Sequence, residues 1–242
     1  MIPYNQRVGY ASVSGPPAPS TGTAVYRHGC GVSLTEWVPL MPLVLKKKVG
    51  EGAYADVWVA TDELDREVAV KVIRQSMLGY IDALAHARAL ARVDHPNVVR
   101  VHKLDRIQDP ETNVETDCVV MELIRGETMR DYLKGHFLTV AELQLFGTGL
   151  IDGIGSIHKA GISHGDLHSE NIMVFAGGLK IIDILYRDSL TLLSTMRRED
   201  RLRQDVRALR LLLQELIHHS ELDPDEANEF NQQLGLDPSL ND

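Results

Sequence analysis

The chain has 242 residues, of which 44% are apolar, and a formal net charge of −9. That length suits one two-lobed domain or one domain with tails. The negative charge argues against wholesale nucleic-acid binding, and no apolar run approaches the ~20 residues of a membrane-spanning helix.

Residues 1–42 read as an N-terminal extension. Ala11 to Ala24 holds three prolines, small residues and no charge, a composition that cannot bury enough to order itself. Trp37, Leu40 and Leu43 could still dock on a neighbouring domain. The opening Met1-Ile2-Pro3-Tyr4 has no signal-peptide pattern. Cys30 and Cys118 have neither metal nor disulfide spacing, which fits inert thiols in the cytoplasm.

Strands are expected at 43–50, 55–61 and 67–73. Between the first two lies Val49-Gly50-Glu51-Gly52-Ala53-Tyr54-Ala55-Asp56-Val57. Gly50 and Gly52 allow backbone geometry that a side chain would oppose, and such a loop can either turn a plain hairpin or cover phosphates with N–H groups. In Val68-Ala69-Val70-Lys71-Val72-Ile73 the period is two. Lys71 then shares a face with Ala69 and Ile73, where an ammonium calls for an anion.

A helix is expected over 79–93, with Ile81, Leu84, Arg88 and Ala91 on one face, stopped before Pro96. Val119 to Leu123 reads as a strand. Gly126 to Leu133 opens a helical region, and Val140 to Lys159 reads as a buried helix ending near Gly161. His158, near that end, reads as a satisfied core or capping histidine. Asp223-Pro224 reads as the start of a last helix. Arg187, Arg197, Arg198, Arg201, Arg203, Arg207 and Arg210 crowd one segment. They form either a solvated face with mixed pairs or a site for an acidic partner.

The chemistry concentrates in His164-Gly165-Asp166-Leu167-His168-Ser169-Glu170-Asn171, followed by Ile181-Ile182-Asp183. One carboxylate, Asp166, can orient a hydroxyl. The Asn171 oxygen and the Asp183 carboxylate can hold Mg²⁺ on a nucleotide's phosphates. With the glycine-rich loop and the Val-Ala-Val-Lys strand in the same order, this pattern resembles the protein-kinase superfamily. The His-Gly-Asp-Leu-His version is similar to the loop of atypical bacterial kinases and aminoglycoside phosphotransferases.

The resemblance implies an α+β, two-lobed fold, with an antiparallel β N-lobe at 43–122 and a shortened helical C-lobe at 123–242. It implies ATP and Mg²⁺ as cofactors. Gly50 and Gly52 would cover the phosphates and Lys71 would hold them. Val57 and Ala69 would line the nucleotide site, with Met121 as gatekeeper and the backbone of Glu122 and Leu123 on adenine. Asp166 would be the catalytic carboxylate, and Asn171 and Asp183 the metal ligands. His168 stands where many protein kinases place a lysine on the transferring phosphate. Asp205 to Leu216 would form the central helix of the C-lobe, and its leading Asp205 would accept hydrogen bonds from the catalytic-loop backbone.

The sequence departs from that pattern in several places. Ala55 replaces the third glycine. No glutamate lies between Glu67 and Glu111, and the slot for the lysine's partner holds His86, with Asp82 one turn earlier. A neutral His86 could accept from Lys71. Asp183-Ile184-Leu185 replaces Asp-Phe-Gly, and Gly165 replaces an arginine that would receive a phosphate, which together suggest a constitutive site. Only twenty-two positions separate Asp183 from Asp205, and thirty-seven residues follow Asp205. A curtailed peptide platform is the expectation, completed by a partner or used on the chain itself, with Ser189, Thr191, Ser194 and Thr195 as autophosphorylation candidates. The function expected is phosphoryl transfer to Ser or Thr on protein. The alternatives are a pseudokinase binding module and a small-molecule kinase of the aminoglycoside-phosphotransferase type. No membrane association or nucleic-acid partner is expected.

Overall fold

A computed structural model describes residues 43–52, 54–74, 83–184 and 190–233. The expected arm over 1–42 lies outside the described residues, apart from its boundary.

Five strands form one antiparallel sheet: β1 Val44–Glu51, β2 Ala55–Thr61, β3 Glu67–Ile73, β4 Val101–Gln108 and β5 Glu115–Glu122, in the order β1-β2-β3-β5-β4. β3 is central, and both its faces are covered. Val68, Val70 and Val72 pack with Ala60, Cys118 and Val120 on one side, while Ala69 and Ile73 are also buried on the other. Helix α1, Ala83–Leu90, follows β3. The expected start of this helix, including Ile81 and Asp82, lies outside the described residues. The face chosen from sequence is corrected: Leu84, Arg88 and Ala91 are exposed, and Ala87, Ala89 and Leu90 are buried. Ala89 and Leu90 pack into the core of the helical half.

The second half is helical around a small sheet of β6 Glu127–Thr128, β7 Ile172–Phe175 and β8 Gly178–Ile181. Helix α2 spans Met129–Gly135, capped by Thr128. Helix α3, Val140–Lys159, opens on a capping box between Thr139 and Glu142. It buries Leu143, Phe146, Leu150, Ile154 and Ile157, while Val140 and Ile151 are exposed. It ends where Gly161 takes φ 76°. The Gly161 N–H donates to the His158 carbonyl and the Ile162 N–H to that of Ile157.

Helix α4, Thr195–His218, begins ten residues before Asp205 and so corrects the expectation that Asp205 leads it. The stretch from 195 to 204 has no glycine or proline and is rich in Arg, Leu, Met, Glu and Gln, so nothing stops the helix from extending back to Ser194. Helix α5, Pro224–Gln233, starts as expected: the Asp223 carboxylate accepts from the Asp225 and Glu226 N–H groups, and Glu226 returns a bond to the Asp223 N–H. Among the described residues no helix is long and apolar enough to cross a membrane.

A clamp joins the two halves. The Ile181 N–H donates to the Asn97 carbonyl at 2.7 Å, the Val99 N–H donates to the Ile181 carbonyl at 2.9 Å, and Asn97 Nδ2 donates to the Leu179 carbonyl at 3.1 Å. Helix α3 can lie against this clamp because it presents glycines there. A Cβ on Gly149 would stand 2.9 Å from Asn97 Nδ2, and one on Gly153 would stand 2.7 Å from Ile181 Cδ1.

Candidate active site

The loop between α3 and β7 carries Asp166, and it is pinned from below. Asp205 on α4 is buried. Its carboxylate accepts from the His164 N–H at 2.7 Å, the Gly165 N–H at 2.9 Å and His158 Nε2 at 2.8 Å. Burial is the largest single influence and pushes its pKa up, but the bonds from His158, Gly165 and His164 together outweigh it and leave the pKa below the ordinary aspartate value. His158 is thus a satisfied histidine, as expected. Gly165 takes φ 80°, a left-handed conformation that an arginine in its place would resist.

His164 is wholly buried and pins the loop from the other side. Its Nδ1 accepts from the Asp166 N–H at 3.2 Å, and its Nε2 donates to the Ile182 carbonyl at 3.1 Å. One donor and one acceptor describe a neutral ring, and burial holds its pKa below the usual value. This role went unassigned in the sequence reading, although Ile162 and Leu167 flanking the histidine already place it beside the core.

Asp166 itself projects outward, with its side chain 61% exposed. Asn171 is buried, and its Nδ2 donates to the Asp166 carbonyl at 2.8 Å. That bond fixes the amide's orientation and turns Oδ1 away from the loop. His168 caps the short 3₁₀ turn Ser169–Asn171: its Nδ1 lies 3.3 Å from the Glu170 N–H, and its Nε2 lies 3.1 Å from Asn171 Nδ2 and 3.7 Å from Asp166 Oδ2. A neutral imidazole accepts at only one of its nitrogens, so the cap and the Asn171 contact are alternatives.

Asp183 follows β8 in a left-handed conformation, φ 57°. Its neighbour Ile184 is buried in the same core as α3 and fixes the turn from inside. The Asp183 carboxylate forms an ion pair with Lys71 of β3. The side chains of His86 and Asp82, the other expected partners of Lys71, lie outside the described residues.

Above these groups is the sheet. Lys71 is paired with Val57 on one side and Val119 on the other, and Ala69 with Val59 and Met121. Side chains at alternate positions of a strand share a face, so Val57, Ala69, Lys71 and Met121 lie on one surface. Gly50 pairs with Val57, and the Gly52 N–H closes the hairpin on the Ala55 carbonyl at 3.0 Å. A Cβ on Gly50 would stand only 3.4 Å from that of Val57. Glu122 ends β5: its carboxylate accepts from the Arg100 N–H at 2.7 Å and pairs with Lys180 at 2.7 Å. Leu123 follows it, part-buried.

A model of the protein kinase domain family matches residues 43–186. A serine/threonine-protein kinase of Corynebacterium efficiens is 35% identical over 143 residues, covering 56% of this chain and 27% of that protein. A probable serine/threonine-protein kinase of Bifidobacterium longum is 30% identical over 151 residues, 57% of this chain and 22% of that protein. A serine/threonine-protein kinase of Corynebacterium glutamicum is 32% identical over 143 residues, 56% of this chain and 30% of that protein. The chain therefore spans less than a third of the length of these curated relatives. With the family's match running from the start of β1 to just past Asp183, over more than half of the chain, this protein belongs to the protein kinase domain family.

Proposed function

We propose that the chain transfers the γ-phosphoryl group of ATP to a serine or threonine hydroxyl on protein. The observation that carries this reading is the ion pair between Lys71 and Asp183, formed beside an Asn171 whose amide nitrogen is held by the Asp166 carbonyl. An ammonium and two hard oxygen donors next to an exposed carboxylate are the groups that phosphoryl transfer needs. The donor set fits Mg²⁺ held by Asn171 and Asp183, which when bound would neutralise charge on the phosphate oxygens.

The protein's own groups do the rest. Lys71 exchanges Asp183 for phosphate oxygens as nucleotide enters. The backbone of Gly50 and Gly52 covers the phosphates. Val57, Ala69 and Met121 contact the base, with the backbone of Glu122 and Leu123 at its edge. Asp166 accepts a hydrogen bond from the incoming hydroxyl, aims its oxygen at phosphorus and takes the proton late. His168 stands beside that carboxylate to steady the transferring group. Catalysis is positioning plus electrostatics, without a covalent intermediate.

In the same reading, residues 43–122 and 123–242 are the two lobes and 1–42 an extension, the site acts in the cytoplasm, and it needs no phosphate-driven switch because Gly165 offers no cation. The substrate is another protein or the chain itself. The test is γ-labelled ATP with Mg²⁺, wild type beside Asp183→Ala, read on the chain and on a generic protein substrate. Label present in the wild type and lost in the variant is expected. Label that persists in the variant, or none with either protein, would overturn the reading.

A further inference from the structure

The arginines of α4 take no part in the chemistry above. The first three turns of this helix stand largely clear of the core: residues 194–200, 203 and 204 are exposed, and Asp205 is the first buried residue. A helix that is polar on every side is not held by its own burial. Apart from His218 in the last turn, its basic residues are all arginines: Arg197, Arg198, Arg201, Arg203, Arg207 and Arg210, with no lysine. Arg203 is paired with Glu199 at 3.1 Å and lies 3.9 Å from Asp200. Among the described residues, Arg197, Arg198, Arg201 and Arg207 have no ion pair. On a chain of net charge −9, this is a local concentration of unneutralised guanidinium groups.

Helical spacing relates them to the active site. Arg198, Arg201 and Asp205 follow one another at intervals of three and four and so share a face of α4. Asp205 is the residue that holds the His164 and Gly165 N–H groups, immediately before Asp166. The face that supports the catalytic loop thus continues outward into Arg201 and Arg198, about 10 Å along the axis from Asp205.

We propose that this arginine face is a docking surface for an acidic segment of the protein substrate. The proposal rests on the kinase reading above and adds the substrate class. A guanidinium presents its donors as a fork that matches a carboxylate. A span of ~10 Å corresponds to roughly three residues of extended chain. The fitting occupant is a stretch of three or four aspartates or glutamates close in sequence to the phosphorylated hydroxyl. The carboxylates neutralise Arg198 and Arg201, and the hydroxyl is led towards Asp166.

The test uses the full chain and a fluorescein-labelled peptide with a central serine flanked by Asp and Glu, beside the same peptide with Asn and Gln. Binding is read by anisotropy at rising salt. The acidic peptide is expected to bind roughly tenfold tighter at low salt, an advantage that shrinks as screening increases. Arg198→Glu with Arg201→Glu should abolish the preference, and Arg198→Lys with Arg201→Lys should keep most of it. Equal affinity for the two peptides in the wild type, or a preference that survives charge reversal, overturns the proposal. Should the Glu variant fail to fold, the salt titration of the wild type and the Lys variant decide. Charge reversal that changes the sedimentation of the chain but not peptide binding would assign the face to self-association and overturn the proposal. Labelled ATP separates the two readings: acidic-selective binding without transfer keeps the docking face and removes the kinase reading, whereas transfer with equal KM for both peptides does the reverse.

Discussion

His164 shows how one buried side chain sets the position of an exposed carboxylate, Asp166. Its ring joins the Asp166 N–H to the Ile182 carbonyl, so the loop that carries Asp166 is tied to the segment that leads into Asp183. Only the neutral ring can do this. Burial lowers its pKa, and the Asp205, Asp183 and Asp166 carboxylates and the Ile182 carbonyl only partly oppose that effect. The sign follows from linkage. As pH falls below the ordinary histidine value of ~6.5, the unfolded chain binds a proton that the folded chain refuses. Stability is therefore complete above ~6.5 and is lost as pH falls from there through the lowered folded value. Urea midpoints at about pH 7.5 and 5.5 should differ more for the wild type than for His164→Gln, which keeps a donor and an acceptor but does not titrate. Equal differences in the two proteins would mean that the ring is not the source.

At the scale of elements, glycines decide how closely neighbouring segments approach. A Cβ on Gly126 would stand 2.0 Å from the Val174 carbonyl oxygen, which is backbone of β7 and cannot swing aside. Gly155, inside α3, has open space around its Cβ position. Gly126→Ala should therefore cost about 1–3 kcal/mol or more, while Gly155→Ala should stabilise by roughly 0.5–1 kcal/mol through helix propensity. Urea unfolding of both variants checks the pair, and a destabilised Gly155→Ala would contradict the packing described. The sequence shows neither distinction, since both positions read only as glycine. It does show β1, β2, β3 and α3 nearly to the residue, because strand alternation, the Gly50–Gly52 turn and the helix stop near Gly161 are local signals. The buried face of α1 and the start of α4 are not local. The first depends on what packs against the helix, and the second lies in a charged stretch with no apolar period to read. Of the candidate site, the spacing of Asp166, Asn171 and Asp183 is only suggestive by itself and gains its weight from the glycine-rich loop and the Val-Ala-Val-Lys strand upstream. The bonds from the loop backbone to Asp205 are implied by the resemblance, whereas the contacts of His158 with Asp205, 47 positions away, and of His164 with Ile182 appear only once the chain is folded.

At the scale of the whole molecule, the two halves are held together by backbone, while the functional groups between them are left free to exchange partners. The hydrogen bonds from Asn97 and Val99 to Leu179 and Ile181, and the buried glycine face of α3 behind them, fix where β8 ends. Lys71 and Asp183 meet across the same junction, but with side chains 18% and 50% exposed. A pair open to solvent to that degree contributes no more than ~1 kcal/mol to folding, which suits the proposed exchange of Asp183 for phosphate oxygens at Lys71. Lys71→Met should accordingly leave the urea midpoint within ~1 kcal/mol of the wild type. It should reduce phosphoryl transfer by about 10²–10³-fold, the usual loss when a preorganised electrostatic donor is removed. Unfolding and transfer assays on the same preparation separate the possibilities. A loss of several kcal/mol would make the ion pair a structural tie between the halves, and unchanged transfer in a stable variant would remove Lys71 from the chemistry.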